Sequence, residues 1–267
     1  MATRFLVLVV LAAAVAFQAV AEEPSFRDTL RRLDGFPEPT RKVGFVQPLP
    51  ITDTIPYMFY GAFPHGVILV EQSIQLASYD RESARAALGR LDETLASIAK
   101  RGVEMIVVGG SVLSLAYDRP TLLARLKTAS DSLRLPITTD MEATVGAMQK
   151  AGVRKAAVAH RLAGIDTEGL RAYLKDAGIE LLGVVGPGLP PGAAAKDDTA
   201  YFTALGLAAA RNHPEADAIL VLGGSSVFHP AVAAIERGSG KPVFNNGIGF
   251  LYAVDAWLKG SAPKRNP

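Results

Sequence analysis

The sequence predicts an α/β fold of two similar lobes, each built on a parallel sheet, with a cleft between them. Short apolar runs alternate with amphipathic stretches along most of the 267 residues, as expected for strands interleaved with helices. Residues 104–111 and 217–225 repeat one pattern: an acidic residue, an apolar run and Gly-Gly-Ser. Because open α/β sheets bind ligands at the carboxyl ends of their strands, the repeat predicts two pseudo-symmetric, Rossmann-like lobes whose glycine loops face one cleft.

The individual elements follow from local patterns. Each predicted strand is an apolar run bounded by glycine, proline or polar residues, and each predicted helix has apolar residues three and four positions apart. The predicted strands are 43–46, 105–108, 137–139, 156–159, 181–185, 218–222 and 242–244. The predicted helices are 83–100, 120–133, 142–150, 167–176, 199–211, 230–237 and 249–258. After the first strand we predict a long loop, whose aromatic cluster from Tyr57 to Phe63 could wall a pocket, join the core or contact a partner.

The first residues have the pattern of a secretory signal peptide. Arg4 precedes an apolar run over residues 5–17, and residues 19–21 (Ala-Val-Ala) fit a small-x-small cleavage site. The run is short for a membrane span, and an uncleaved anchor is the alternative. We therefore predict cleavage after Ala21, a periplasmic or secreted protein, and no membrane span in the mature chain.

The predicted elements also define a domain organisation. An N-terminal lead (22–41) follows the signal peptide, and two α/β lobes (42–140 and 141–246) follow the lead. The last segment (247–267) is predicted to be a helix that returns to the first lobe, followed by a tail.

Composition excludes several classes of function. The chain has 28 Lys and Arg against 26 Asp and Glu, a net charge of +2, so it lacks the basic excess of a nucleic-acid binder. It has no cysteine, which excludes disulfides, thiolate metal sites and a thiol nucleophile. Its four histidines lack metal-ligand spacing, and no Walker or dinucleotide motif occurs. We expect no metal, no cofactor and no nucleic-acid partner, and the oligomeric state stays open.

Six segments, in their order along the chain, indicate a family. They are Val43–Pro48, Gly109–Ser114, Pro136–Thr139, Ala151–Lys155, Asp217–Gly224 and Gly240–Val243. With this order the chain, over roughly 42–259, resembles the aspartate/glutamate racemase superfamily and within it the arylmalonate decarboxylase and maleate cis-trans isomerase branch. The resemblance implies two α/β lobes with the site between them. It also implies proton chemistry: the racemases have a cysteine on each glycine loop, and the decarboxylase keeps the second.

The sequence departs from this family pattern at both cysteine positions. Gly110 falls at the first position and Gly223 at the second, and Leu162 falls where the family has a tyrosine. The glycine loops still offer N–H groups and serine hydroxyls, which suit a carboxylate or the enediolate formed from one. The resemblance therefore implies a substrate-binding set without the family's thiol. This set is Pro48, Gly110, Ser111, Thr139, Arg161, Gly223, Gly224 and Ser225.

A different acid must then supply the proton. His229 follows the second Gly-Gly-Ser and is our first candidate, because histidine titrates near neutral pH. His160 lies at a predicted strand end. Asp140 and Glu142 follow another strand end, where Asp140 could instead cap a helix. Water is a further alternative.

These observations favour a cofactor-independent decarboxylase or isomerase-like enzyme that acts on a small carboxylic acid through an enediolate, with Ser111 and His229 as catalytic residues. The alternative is a non-catalytic periplasmic carboxylate-binding protein that has lost the cysteine proton donors. A third hypothesis is a hydrolase with Ser111 or Ser225 as nucleophile.

Overall fold

The computed structural model describes residues 26–31, 34–49, 54–160, 166–186, 198–222 and 229–261. The predicted signal peptide, Arg161, Leu162 and the loop 223–225 lie outside these residues. Helix α1 (Phe26–Arg31) belongs to a separate N-terminal unit that ends at Pro37. The predicted lead therefore contains a short helix.

Two four-stranded parallel sheets form the body of the protein, so the predicted α/β fold is confirmed. The first sheet contains β1 (Arg41–Gln47), β2 (Val67–Ser73), β3 (Met105–Val108) and β4 (Ile137–Thr139), in the order β2-β1-β3-β4. The second contains β5 (Lys155–His160), β6 (Glu180–Val185), β7 (Ala218–Leu222) and β8 (Val243–Asn245), in the order β6-β5-β7-β8. The two sheets therefore repeat one strand order, as the internal sequence repeat predicts.

Helices flank both sheets. They are α2 (Thr54–Ala62), α3 (Arg81–Leu88), α4 (Leu91–Ala99), α5 (Ser111–Ser114), α6 (Arg119–Leu133), α7 (Asp140–Lys150), α8 (Thr167–Asp176), α9 (Asp198–Asn212), α10 (His229–Ser239) and α11 (Asn246–Ser261). Among the described residues no helix is long and apolar enough to cross a membrane.

Two predictions about these elements were wrong. The predicted helix 83–100 is two helices, because the chain leaves helical geometry at Arg90, whose guanidinium donates to the carbonyls of Ile74 and Gln75. The predicted loop after β1 contains α2 and β2. Strand β2 lies at the sheet edge and pairs with β1. It begins with four apolar residues, 67–70, a strand pattern that the prediction overlooked.

Two helices join the sheets to each other. Helix α7 follows β4 of the first sheet and also contacts β8 of the second. Helix α11 follows β8 and contacts α2 and β3 of the first sheet, where Phe250 and Val254 share a buried cluster with Val43 and Phe45. Helices α7 and α11 pack directly against each other, and each begins at the carboxyl end of a strand.

The α7–α11 contact has no space for a side chain at Gly249. A Cβ there would overlap the hydroxyl of Thr144 and would lie 2.6 Å from the carbonyl oxygen of Asp140. We expect Gly249→Ala to lower the free energy of unfolding by about 2–3 kcal/mol, because overpacked contacts force backbone shifts of this cost. Urea denaturation measures the change.

Gly260→Ala is the matched control for this prediction. Gly260 lies on the same helix, and apart from its neighbours and the helix backbone no atom of the described residues lies within 4 Å of the position that a Cβ would take there. This change should therefore cost nothing or stabilise the helix by up to about 1 kcal/mol. Equal stability of the two variants would show that α7 and α11 are not in close contact.

Candidate active site

The carboxyl ends of three strands bring the first glycine loop, Pro48 and Asp140 together. Parallel pairing sets Val46 beside Val108 and Val108 beside Thr139, so the residues that follow each strand lie at one edge of the sheet. Pro48 follows β1, the Gly-Gly-Ser loop follows β3 and Asp140 follows β4. This edge is where open α/β sheets bind ligands.

A small cavity of about 40 Å³ lies at this edge. This space suits the carboxylate end of a small acid. Apolar side chains form one part of its wall and hydrogen-bonding groups the other. The described lining residues are Phe45, Gln47, Pro48, Leu49, Ile55, Tyr79, Gly110, Ser111, Asp140, Asn246, Gly247 and Phe250.

The glycine pair beside the cavity is required by close packing. A Cβ at Gly109 would overlap the ring of Phe45, which lies 4.5 Å from the ring of Phe250 between centroids. A Cβ at Gly110 would lie 2.8 Å from Cγ of Pro48, and the φ angle of Gly110 is +98°. The two glycines thus let the chain turn sharply from β3 into α5 and present Ser111 to the cavity.

Asp140 is a buried carboxyl in the cavity wall, with 3% of its surface exposed. Its Oδ2 accepts hydrogen bonds from the Gly110 N–H and the Asn246 side-chain amide, each at 2.8 Å. Its Oδ1 has no hydrogen-bond partner among the described residues. Burial raises the pKa of Asp140 to about 6, against the lowering effect of the Gly110 N–H, the Asn246 amide and the neighbouring Met141 N–H. Asp140 therefore titrates close to neutral pH.

The suggestion that Asp140 caps the helix after β4 is wrong. Thr139 caps α7 instead, since its hydroxyl accepts from the N–H of Glu142 at 2.9 Å. Thr139, predicted to bind substrate, is not among the described residues that line the cavity. The N–H of Gly110, also predicted to bind substrate, donates to Asp140.

Asn246 occupies the position in the second lobe that matches Asp140 in the first. Each is the first residue of the helix after the last strand of its sheet, and each follows a residue whose side chain caps that helix. Asn245 is the cap of α11, because its Oδ1 accepts from the N–H of Ile248 at 3.0 Å. A carboxyl and a carboxamide at equivalent positions thus meet in one direct hydrogen bond.

Ser111 supplies a hydroxyl group to the cavity wall. Its side chain is buried, and among the described residues nothing hydrogen-bonds to its hydroxyl. The hydroxyl is therefore available to a ligand that enters the cavity. Of the predicted binding residues that the structure describes, Pro48, Gly110 and Ser111 line the cavity.

Glu142, the second carboxylate considered at this strand end, has a structural role. The guanidinium of Arg119 donates to both of its oxygens, at 2.7 and 2.8 Å, and the hydroxyl of Tyr173 donates to one of them. These hydrogen bonds connect α7 to α6, which contains Arg119, and to α8, which contains Tyr173. Glu142 is not among the described lining residues of the cavity.

His229 lies at a different depression. It is the exposed first residue of α10 and borders an open apolar groove with Tyr57, Tyr60, Ile248 and Leu251. The groove and the cavity lie on either side of the first turn of α11. His160 is buried at the end of β5. Neither histidine is among the described lining residues of the cavity, so the catalytic role of His229 stays a prediction.

Comparison with known proteins identifies the family. The family model for arylmalonate decarboxylase matches residues 43–260. The chain belongs to the arylmalonate decarboxylase family. An arylmalonate decarboxylase from Bordetella bronchiseptica is 28% identical over 205 residues, which cover 74% of this chain and 82% of the relative.

Solved structures of an arylmalonate decarboxylase and a maleate isomerase have a similar fold. A liganded arylmalonate decarboxylase with two substitutions superposes with a TM-score of 0.74 at 25% identity, covering 85% of this chain and 96% of the other. A maleate cis-trans isomerase from Nocardia farcinica has the same fold, with a TM-score of 0.67 at 16% identity over 82% of this chain and 93% of the other. Membership supports an enzyme of the decarboxylase or isomerase type.

Proposed function

We propose that this protein is an exported, cofactor-independent decarboxylase that removes carbon dioxide from a small substituted malonate. One carboxylate of the substrate would leave as carbon dioxide, and the other would become the enediolate. The cavity at the carboxyl ends of β1, β3 and β4 is the observation that supports this proposal most strongly.

The cavity wall has hydrogen-bonding groups and apolar side chains, which match the carboxylate and the hydrocarbon part of such a substrate. Ser111 offers a hydroxyl that has no hydrogen-bond partner among the described residues and lies in the cavity wall. This hydroxyl suits the carboxylate that becomes the enediolate, because a donor aimed at developing charge stabilises the transition state. Phe45, Ile55 and Phe250 would contact the α carbon and the part of its aryl or alkyl substituent next to it.

The absence of cysteine favours decarboxylation over the isomerase alternative. The Nocardia farcinica maleate isomerase was solved with a covalently bound succinylcysteine intermediate. This chain has no cysteine and cannot form such an adduct. Decarboxylation needs no covalent bond to the protein, only stabilisation of the enediolate and a proton.

Export is proposed from the N-terminal sequence. The apolar run and the Ala-Val-Ala site over residues 5–21 support transport to the periplasm or the medium. N-terminal sequencing of the protein recovered from outside the cytoplasm tests this proposal. A first residue of Glu22 agrees with it, and recovery of the intact chain from the cytoplasm contradicts it.

The experiment that tests the function combines binding with turnover. The purified protein is screened by thermal shift against substituted malonates, maleate, amino acids and aryl acids, and each stabilising acid is followed by ¹³C NMR. Release of carbon dioxide from a malonate supports the proposal. Stabilisation by an acid that is never consumed would indicate a carboxylate-binding protein instead.

Ser111→Ala is expected to lower kcat/KM for the malonate by about 10²-fold. Loss of one donor to a developing oxyanion typically costs 10²–10³-fold, and the hydroxyl has no other hydrogen bond among the described residues to compensate. For the same reason the melting temperature should stay unchanged. Steady-state kinetics with the ¹³C assay measures the effect.

Ser114→Ala is the matched control. Ser114 lies on the same short helix, is equally buried and also has a hydroxyl without a described partner, but it is not among the described lining residues. Its loss should leave kcat/KM within about twofold, since its hydroxyl is outside the site. An equal loss of activity in both variants would mean that Ser111 acts through the fold of α5.

A further inference from the structure

We infer that Asp140 is the acid that gives the α carbon its proton after carbon dioxide leaves, an inference that rests on the proposed decarboxylase function. The geometry of the cavity supports this role in three ways: the carboxyl is held in a fixed orientation, its surroundings favour the protonated form, and no second carboxyl belongs to the described part of the cavity wall.

Two hydrogen bonds orient the carboxyl. Both donors, the Gly110 N–H and the Asn246 amide, bind Oδ2. They leave Oδ1 as the oxygen with no described partner, in a residue that lines the cavity beside Ser111. Because Oδ1 receives no hydrogen bond from the described residues, a proton on it can be given to a substrate in the cavity.

The surroundings of Asp140 favour its neutral form. None of the described lining residues has a cationic side chain, and the only other titratable group among them is the phenol of Tyr79. On α7, Glu142 is paired with Arg119. On α11, Asp255 is paired with Lys259 one turn further along.

A bound carboxylate adds to this effect. An anion close to Asp140 disfavours its ionised form, as happens when two carboxylates share a site. Because burial already raises the pKa of Asp140 to about 6, a bound malonate should leave it protonated at neutral pH. The acid is then ready when the enediolate forms.

The pseudo-symmetric partner of Asp140 cannot donate a proton in this way. Asn246 occupies the equivalent position in the second lobe and has a carboxamide, which does not titrate. A site with one acid and one amide at matching positions delivers a proton to one face of the substrate.

The proposed step is balanced as follows. The bond from the α carbon to one carboxylate breaks, carbon dioxide leaves, and the electron pair enters the remaining carboxylate to form the enediolate. The O–H bond of Asp140 then breaks, a C–H bond forms at the α carbon, and the enediolate becomes a carboxylate. Asp140 is left ionised and takes its next proton from water.

Asp140→Asn tests this role with little change of shape. The carboxamide oxygen can accept both existing hydrogen bonds, and only the acidic proton is lost. We expect turnover of the malonate to fall by at least about 10²-fold, the typical cost of removing a general acid. In the wild-type protein kcat/KM should fall above pH 6, and the residual activity of the variant should lack this fall.

Glu71→Gln is the matched control. Glu71 is a second carboxyl whose pKa is raised by burial, to about 7, but it is not among the described lining residues. The same change of carboxyl to carboxamide should leave turnover and its pH dependence unchanged. A pH effect shared by both variants would be an effect on the fold.

Calorimetry supplies a readout that does not depend on turnover. Phenylacetate is titrated into each protein at pH 7 in two buffers of different ionisation enthalpy. The wild-type and Glu71→Gln proteins should take up about one proton for each phenylacetate bound, and Asp140→Asn should take up none.

The outcomes separate this inference from the proposed function. Malonate turnover that is equal in the wild-type and Asp140→Asn proteins, or phenylacetate binding to the wild-type protein without proton uptake, overturns the role of Asp140 and leaves the decarboxylase standing. A wild-type protein that consumes no malonate overturns the proposed function and this inference with it.

Discussion

Asp140→Asn is expected to be more stable than the wild-type protein at pH 8, by on the order of 3 kcal/mol. Burial raises the pKa of this carboxyl from 3.8 to about 6. Folding at pH 8 therefore buries a charge at a cost that the carboxamide avoids, and each pKa unit corresponds to about 1.4 kcal/mol. A change that weakens catalysis while it stabilises the fold is characteristic of a group retained for function.

The effect should depend on pH in a defined direction. Because the folded pKa of Asp140 lies above the unfolded value, its contribution to stability is fully present below about pH 4 and is lost as the pH rises to about 6. The advantage of the variant should thus be absent at pH 4 and complete above pH 7. Urea denaturation of both proteins at each pH measures this difference.

Other carboxyls do not obscure this measurement. Glu71, with its pKa raised to about 7, lowers the stability of both proteins between about pH 4.5 and 7. Asp80, Asp118 and Asp217 accept backbone or side-chain hydrogen bonds that lower their pKa values, so they affect both proteins only under more acidic conditions. An equal stability difference at pH 4 and pH 8 would contradict the buried, titrating Asp140.

Gly109→Ala is expected to abolish acid binding and to lower the free energy of unfolding by about 3 kcal/mol. The new methyl group would overlap the buried ring of Phe45, with Cε2 at 2.7 Å from its position. Phe45 packs against Phe250 on one side and lines the cavity on the other. The ring can relieve the overlap only by a shift in a closely packed core, and such overpacking costs typically 1–3 kcal/mol.

Thermal shift with phenylacetate and urea denaturation measure the two effects. Gly146→Ala is the control, because Gly146 is exposed within α7 and, outside its own helix, no described atom lies within 4 Å of the position that a Cβ would take there. Alanine should stabilise that helix by up to about 1 kcal/mol. A Gly109→Ala protein that binds phenylacetate as the wild type does would show that the cavity next to Phe45 is not the ligand site.

The parts of the fold that the sequence predicted well are those with strong local patterns. The apolar runs of β3 and β7 are fully buried strands, and the Gly-Gly-Ser that follows each run pointed to the strand ends. Helix α2 was missed because Pro56, Gly61 and several aromatic residues suggest a loop. Its buried residues Ile55, Met58 and Phe59 nevertheless have helical spacing.

The candidate site was predictable only in part, for a physical reason. Ser111 and Pro48 follow strands whose ends could be located from the sequence. The bond between Asp140 and Asn246 joins residues 106 positions apart, which no local pattern reveals. One signal was present: the repeated proline-led strands at 136–139 and 242–245 place these two residues at equivalent positions.

The most direct test of the account is the stereochemistry of one decarboxylation. A malonate with an aryl and an alkyl substituent on the α carbon is incubated with the protein in D₂O, and the product acid is analysed for deuterium and for enantiomeric composition. We predict one deuterium at the α carbon and a single enantiomer, because one fixed acid faces one side of the enediolate. A racemic product, or a malonate that binds and is never consumed, would contradict the account.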